Sequence, residues 1–424
     1  MKHPFQILVS NELGTLVFVA VQNHILVFET STGDLVGSWF DQQQSQHINK
    51  QQEKKTGKTL SAHTIYNHIK CICLTRDERH LVASTDSDKS VLVFRVSKEP
   101  WKENEPWKEN EPLKENVLKL VKRQRMQKRP SSITTFEDVA IIADKFGDVY
   151  TVGIDENEPV KEDSMEPILG HVSMLTDLVV GQNRKGKPFL ITSDRDEHIR
   201  ISNYPKSYVI KSYLHKHCEF VSSLLMIENG EVLVSGGGDD SIMVWDWYEG
   251  KLLDEFDLKP YVFPFLNHLE EEEAKEEKEY LKEKSKQGEE GVEQKEPAYK
   301  ICISKMESLK TENGEFVIVL VENTPCLVVL QYDHKEKKVW FVQNLDLGST
   351  VVVTFTVLKE NIIVSLDSQD KILQFFKFID GKLTVDESKE QVLEKMVESN
   401  PVDVDELDPA QLYPVAALRK KGEH

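Results

Sequence analysis

Asp194, Asp196 and Glu197 fall within four positions, with Arg195 among them and His198 directly after. Oxygen ligands spaced this closely can hold calcium or magnesium when they converge on one point. At a turn between two strands the same acids serve to close the loop, and the register described below puts them at such a turn. The other signatures of chemistry are missing: the chain has no GxxxxGK[ST], no GxSxG and no HExxH, and His63 and His68 lack a companion carboxylate at ligand spacing. A Rossmann-type enzyme needs a Gly-rich strand-to-helix turn. Gly236-Gly237-Gly238 lies instead between two strands, where it is expected to form a tight turn with positive φ values. No catalytic residue, cofactor or metal is expected.

One basic stretch stands out against a formal charge of -19: Lys119, Lys122, Arg123, Arg125, Lys128 and Arg129. Such a cluster can meet RNA phosphates or act as a nuclear localisation signal. Its alternative reading is a solvated outer strand whose charges offset nearby glutamates. The acidic total excludes a surface built throughout for nucleic acid, so any RNA contact must be local or shared with another chain.

The chemistry most visible in the sequence is structural. Ser235, Asp239 and Trp245 are spaced by four and then six residues, and the spacing recurs at Ser84/Asp88/Phe94, Thr192/Asp196/Ser202 and Ser365/Gln369/Phe375. A His before such a unit, a Ser or Thr on its second strand, an Asp at the next turn and an indole on its third strand can satisfy one another's hydrogen bonds. His217, Ser235, Asp239 and Trp245 make a complete set. His171, Thr192 and Asp196 make one without the Trp, since Ser202 takes its place.

Around these residues the chain repeats short β-prone runs at a period of about 40 to 45 residues, the signature of propeller blades. The runs near 5–40, 68–96, 131–155, 174–214, 220–257, 299–347 and 351–385 predict an all-β, seven-bladed propeller over 1–385. Phe5–Ser10 is expected to pair into the last blade and close the ring. Three segments read as charged or polar insertions, about 42–58, 98–116 and 260–298. The second contains Pro-Trp-Lys-Glu-Asn-Glu twice. The spacing of Val392, Leu393, Met396 and Val397 predicts a short C-terminal helix, and the tail from Pro401 is expected to be loosely ordered with Leu407, Leu412 and Tyr413 as anchors. Five cysteines without a CxxC pair read as reduced thiols. The start of the chain lacks the pattern of a signal peptide, and no stretch reaches the roughly 20 apolar residues of a membrane span. A soluble intracellular protein with no membrane partner is expected.

From Lys128 to Lys251 the chain resembles the non-catalytic WD-repeat subunit of the tRNA (guanine-N7)-methyltransferase. The resemblance rests on Ala143-Asp144-Lys145-Phe146-Gly147-Asp148-Val149-Tyr150, on Gly170-His171-Val172-Ser173-Met174-Leu175-Thr176-Asp177, on Ser193-Asp194-Arg195-Asp196-Glu197-His198-Ile199-Arg200-Ile201-Ser202, and on Ser235-Gly236-Gly237-Gly238-Asp239-Asp240. It implies a scaffold without chemistry of its own, a heterodimer with a Rossmann-like catalytic subunit docked on the side of the ring, tRNA held by the pair, and residence in the nucleus. It also implies that the basic residue after the Asp-Arg-Asp-Glu turn, here Arg200, pairs with an acid of the catalytic subunit, with Arg195 and His198 in support. Strand alternation puts Ile199 and Ile201 toward the blade core and Arg200 outward. The competing reading is a WD adaptor of another kind, such as a ubiquitin-ligase substrate receptor, whose contacts would lie on the loops of one face of the ring.

Overall fold

The computed structural model describes residues 1–42, 44–47, 63–97, 116–155, 158–266, 300–405 and 407–420. Seven four-stranded antiparallel sheets follow one another along the chain. Blade 1 spans Ile7–Phe40, blade 2 Ile69–Arg125, blade 3 Pro130–Gly170, blade 4 Leu175–Leu214, blade 5 Val221–Asp257, blade 6 Ile303–Asp346 and blade 7 Val352–Val385. The middle strands are runs such as Leu16–Val21 and Gly314–Val321, rich in β-branched residues and buried along nearly their whole length. Continuous burial is the mark of a sheet covered on both faces, and only neighbouring blades can supply both covers.

The first strands lie side by side in cyclic order, and Val352–Leu358 of blade 7 returns to Ile7–Ser10 of blade 1. Side chains on these strands stitch one blade to the next through backbone carbonyls. Thr176 donates to Val221 O, Ser222 to Ile303 O, Lys305 to Phe355 O at 2.6 Å and Leu8 O at 3.0 Å, and Ser10 to Val357 O at 2.5 Å. Antiparallel order puts the turns between second and third strands on one face of the ring with the links between blades, here the upper face. The other two turns of each blade share the lower face.

Several expectations change at the seams. Ile7–Ser10 does not pair into the last blade; it is the first strand of blade 1, in register with Val17–Ala20. Blade 7 supplies its own fourth strand, Lys382–Val385, and the ring closes through the packing of Val352–Leu358 on Ile7–Ser10, beside which Met1–His3 pairs with Val402–Val404. Blade 2 keeps its outer strand, Leu118–Arg125, on the far side of the 98–116 insertion, so the duplicated tract falls between its third and fourth strands. The bulk of the three insertions, 48–58, 98–115 and 267–298, lies outside the described residues. Gln44–His47 pairs with His63–Tyr66, and 259–266 is helical, with Val262 buried against Ile301 and Ile303.

Gly236-Gly237-Gly238 is required for a different reason than positive φ. A Cβ at Gly237 would stand 1.9 Å from Phe220 O, and one at Gly238 2.6 Å from the Phe220 ring. The glycines let the backbone of the first strand approach.

The C-terminal helix α1, Glu390–Glu398, packs Leu393 and Met396 against Phe5, Leu8 and Phe375. The tail beyond it is not loose; it is strapped over the upper face. Tyr413 Oη donates to Asp367 Oδ2 at 2.8 Å beside blade 7, and the Val415 and Ala416 amides donate to the buried Glu322 carboxylate at 2.7 and 2.6 Å beside blade 6. Arg419 then reaches Glu219 at 2.7 Å and Gly238 O at 2.9 Å in blade 5.

Asp177, on the first strand of blade 4, ties three blades together. It accepts Ser132 Oγ from blade 3 at 2.9 Å and the Leu224 amide from blade 5 at 2.8 Å. It keeps some accessible surface in the channel, but the crowding of protein around it pushes its carboxyl up to about 6, while the Leu224 amide, the Ser132 hydroxyl and the Leu178 amide pull the other way. The folded chain therefore binds this proton more tightly than the unfolded chain, so the group's stabilising contribution is complete in acid and is lost as pH rises through about 6. In denaturant titrations, the unfolding free energy of the natural chain minus that of Asp177→Asn should fall by about 2 kcal/mol between pH 4 and pH 7; a difference that stays flat would remove this assignment.

Candidate docking face on the fourth blade

Blade 5 holds the complete polar network. His217 Nδ1 lies 2.6 Å from Asp239 Oδ2, and its Nε2 lies 2.7 Å from Ser235 Oγ, which also accepts the Trp245 indole at 2.8 Å. Blade 4 uses the same device with the acid moved. His171 Nε2 meets Thr192 Oγ1 at 2.8 Å, but its Nδ1 meets Asp194 Oδ2 at 2.9 Å, not Asp196. Asp194 ends the second strand and faces the link that carries His171. Its other oxygen closes the turn by accepting the amides of Asp196 at 2.8 Å and His198 at 3.0 Å. Burial raises its carboxyl pKa, but the His171 bond and these amides outweigh that effect and hold it below the usual carboxylate range. Asp196 turns instead to Lys420 at 3.0 Å.

Arg200 departs furthest from the sequence reading. It does not point outward into solvent: it is 6% exposed, with Nε donating to Ser202 Oγ at 3.0 Å, Nη1 to Gly170 O at 2.8 Å and Nη2 to Ser207 O at 3.1 Å. Alternation does separate it from Ile199 and Ile201, but in a ring both faces of a blade are covered, so the opposite face is another interior. Burial lowers the guanidinium pKa while the adjoining Tyr213 opposes this. Arg195 is likewise occupied, donating from Nε to Leu418 O of the strap at 2.7 Å. Of the three residues expected to bind a partner, His198 is the one with a substantially open side chain, 43% exposed.

A groove of about 310 Å³ lies over Arg200, lined also by Tyr213, His198, His215 and the link from Gly170 to Ser173. Tyr213 stacks on His215 with ring centroids 5.7 Å apart, and His198 meets Tyr213 edge-on at 6.2 Å. Val172 and Tyr213 line this groove, and with Tyr208, Val209 and Ile210, on the lower-face turn and the start of the fourth strand, they make up five of the fourteen exposed large apolar side chains among the described residues. A concentration of that kind, rimmed by polar groups, is the physical mark of a protein-docking surface. Sequence reasoning missed these residues because an apolar fourth strand looks the same whether it is covered or open. The available signal was the apolar run Tyr208-Val209-Ile210 across the end of a turn, where polar residues are the rule.

The basic stretch divides. Lys122 is buried and donates to Gly153 O at 3.0 Å, and Arg123 bridges Asp41 and Asp88, each at 2.6 Å. Both therefore serve the seams between blades and not an external phosphate. Arg125 and Arg129 are exposed, and Lys128 sits over the Phe146 ring at 4.2 Å.

A family model described as the tRNA methyltransferase TRM82 WD40 domain matches residues 17–167 and 155–375. The chain is 35% identical over 455 residues to the tRNA (guanine-N(7)-)-methyltransferase non-catalytic subunit TRM82 of Meyerozyma guilliermondii, covering 100% of both chains. It belongs to the TRM82 family. The Saccharomyces cerevisiae member is 34% identical over 475 residues, with 100% of this chain and 99% of that one covered. Among solved structures, the WD40 repeats of RRP9 superpose with a TM-score of 0.54 at 14% identity over 86% of this chain and 87% of that one. A chain of the mitotic checkpoint complex gives 0.57 at 12% identity, over 89% and 87%. At such identities the likeness is one of fold, the WD40 propeller, while the TRM82 relatives share the sequence along their full lengths.

In this TRM82-family chain Arg200 is a positioning residue for the groove wall. Arg200→Met would keep the stem and leave the Gly170 and Ser207 carbonyls unpaired, a loss of about 2 to 4 kcal/mol. Amide exchange should accelerate in 199–214 with little change in blade 1. Unaltered protection there would show that the guanidinium does not hold the blade.

Proposed function

We propose that this chain is the non-catalytic scaffold of a tRNA (guanine-N7)-methyltransferase: it binds and stabilises a separate catalytic subunit and so supports N7-methylguanosine formation in the tRNA variable loop. Family membership supports the role, and the observation that carries the docking site is the open apolar face at Val172, Tyr208–Ile210 and Tyr213. The partner packs its own apolar residues there. Arg200 acts from beneath, fixing the Gly170 link and the Ser207 turn between which that face is hung. A charge pair with the partner would require the guanidinium to leave three internal acceptors, whereas His198 and His215 offer polar contacts at the surface without rearrangement.

An adaptor that captured targets on the upper face would compete with the strap, which already occupies that face from blade 7 to blade 4. The lateral face of blade 4 carries no such cover among the described residues. Binding to the folded partner raises its stability by mass action, so loss of this chain is expected to lower both tRNA methylation and the level of the catalytic subunit.

Val172→Ser combined with Tyr208→Ala removes apolar surface that is largely in water already, the two residues being 106% and 69% exposed, so unfolding should shift little. Co-purification with the catalytic subunit and N7-methylguanosine in tRNA should fall together by at least about tenfold, the effect of roughly 1.4 kcal/mol. Full capture and full methylation by this variant would refute the docking face. We also propose nuclear residence, supported by the surface position of Arg125, Lys128 and Arg129. Replacing the three with Ala in a fluorescent fusion is expected to move the protein to the cytoplasm, and an unchanged distribution would remove that role.

A further inference from the structure

The lower-face turns of blade 4 differ in charge from those of every other blade. The turn between its first two strands reads Asn183-Arg184-Lys185-Gly186-Lys187, and the turn between its last two reads Tyr204-Pro205-Lys206-Ser207-Tyr208-Val209. Neither contains an acid. Each remaining blade places at least one acid in the equivalent described turns, such as Glu12 and Asp34 in blade 1, Asp77 in blade 2, Glu137 in blade 3, Glu228 in blade 5, Glu312 in blade 6 and Glu360 in blade 7. In a chain of net charge -19 this is a local reversal of sign.

The four basic side chains are open. Arg184, Lys185, Lys187 and Lys206 are all exposed. Their ties are weak: Arg184 meets Glu231 of blade 5 at 3.3 Å at the surface, and Lys187 meets the Asn203 amide oxygen at 3.0 Å and lies 5.1 Å from the Phe189 ring. A solvated pair of this sort is worth little and exchanges readily for another anion. Two tyrosines flank Lys206, and Tyr208 is 69% exposed. Tyr204 packs edge-on against Phe136, so Tyr208 is the open ring; arginine and lysine on open turns beside an exposed aromatic ring are groups that hold a nucleic-acid backbone and an unstacked base.

We infer that these turns are where this chain touches RNA directly: Arg184, Lys185, Lys187 and Lys206 bind backbone phosphates of the tRNA held by the two-subunit complex. The inference rests on the proposed docking of the catalytic subunit and deepens it. Tyr208 and Val209 belong both to the second turn and to the apolar face, so a subunit docked there brings its RNA substrate alongside the basic turns. The chain as a whole carries a net charge of -19, so a phosphate contact here depends on a local cluster such as this one. An acidic patch on a protein partner is the other occupant such charges could take; RNA is favoured at the first turn because Arg184, Lys185 and Lys187 have no apolar side chain among them to make a packed protein contact, while Lys206, on the second turn, stands at the border with the apolar Tyr208 and Val209.

The test uses the co-purified complex and an unmodified tRNA transcript, with Arg184, Lys185, Lys187 and Lys206 all changed to Ala. The complex is expected to form in normal yield while tRNA affinity at near-physiological salt falls at least about tenfold and the slope of log affinity against log salt becomes shallower by about 3. Unchanged affinity and slope would overturn the RNA assignment while leaving the docking face intact. Loss of the catalytic subunit by this variant, with tRNA affinity per assembled complex unaltered, would show that the turns bind protein and would overturn it as well. If the natural chain captures no catalytic subunit at all, the reading under Proposed function fails, and this one fails with it.

Discussion

A four-stranded sheet whose middle strands are apolar on both faces cannot be stable alone, and that constraint governs the whole molecule. Each blade needs a neighbour on each side, so the row of blades must close on itself. Closure here does not use a strand borrowed across the seam. Blade 1 and blade 7 are each complete, and the junction is held by the packing of their first strands, by Ser10 donating to Val357 O and Lys305 to Leu8 O, and by the pairing of Met1–His3 with Val402–Val404. The two ends of the chain then cover apolar surface that the seam would otherwise expose, with α1 lying over Phe5, Leu8 and Phe375.

The same constraint explains why polar residues inside the ring are so fully engaged. A group held between two blades has lost water on every side and must find its partners in the protein. His217 and His171 do so with a hydroxyl and a carboxylate each, Arg123 with two aspartates, and Arg200 with a hydroxyl and two carbonyls. The set is incomplete elsewhere: Ser365 occupies the position of Ser235 in blade 7 and its hydroxyl finds no hydrogen-bond partner among the described residues, while Ser84 in blade 2 meets only the Cys71 thiol. Asp144 repeats the turn-closing role of Asp194 in blade 3, but Met126 stands where His171 would be, and its second oxygen is unpaired. Burial accordingly raises the Asp144 carboxyl pKa, against the pull of the Asp148 and Phe146 amides.

The exterior of blade 4 follows from that interior. Its fourth strand is short and bound to the rest of the blade partly through Arg200, which reaches both the link before the blade and the turn before that strand. One buried cation thus helps to set the position of the fourth strand and of the turn that carries Lys206, through Ser207. The strap adds a second constraint at the upper end of the same blade, through Arg195 and Asp196.

Periodicity and residue type were sufficient to define the seven blades, the His–Ser–Asp–Trp unit of blade 5 and the C-terminal helix, because strand alternation, turn residues and the spacing of Ser235, Asp239 and Trp245 are local properties of the chain. Family kinship was legible in strings such as Ser193–Ser202 for the same reason. The direction of Arg200, the choice of Asp194 over Asp196, the engagement of Arg123 and the path of the strap were not. Each depends on which group of a distant segment stands within about 3 Å, and alternation along one strand specifies a side of the sheet without specifying whether water or another blade lies there. Tertiary structure decided that, because in a closed ring there is no solvent side to a blade except at its outer edge and at its turns.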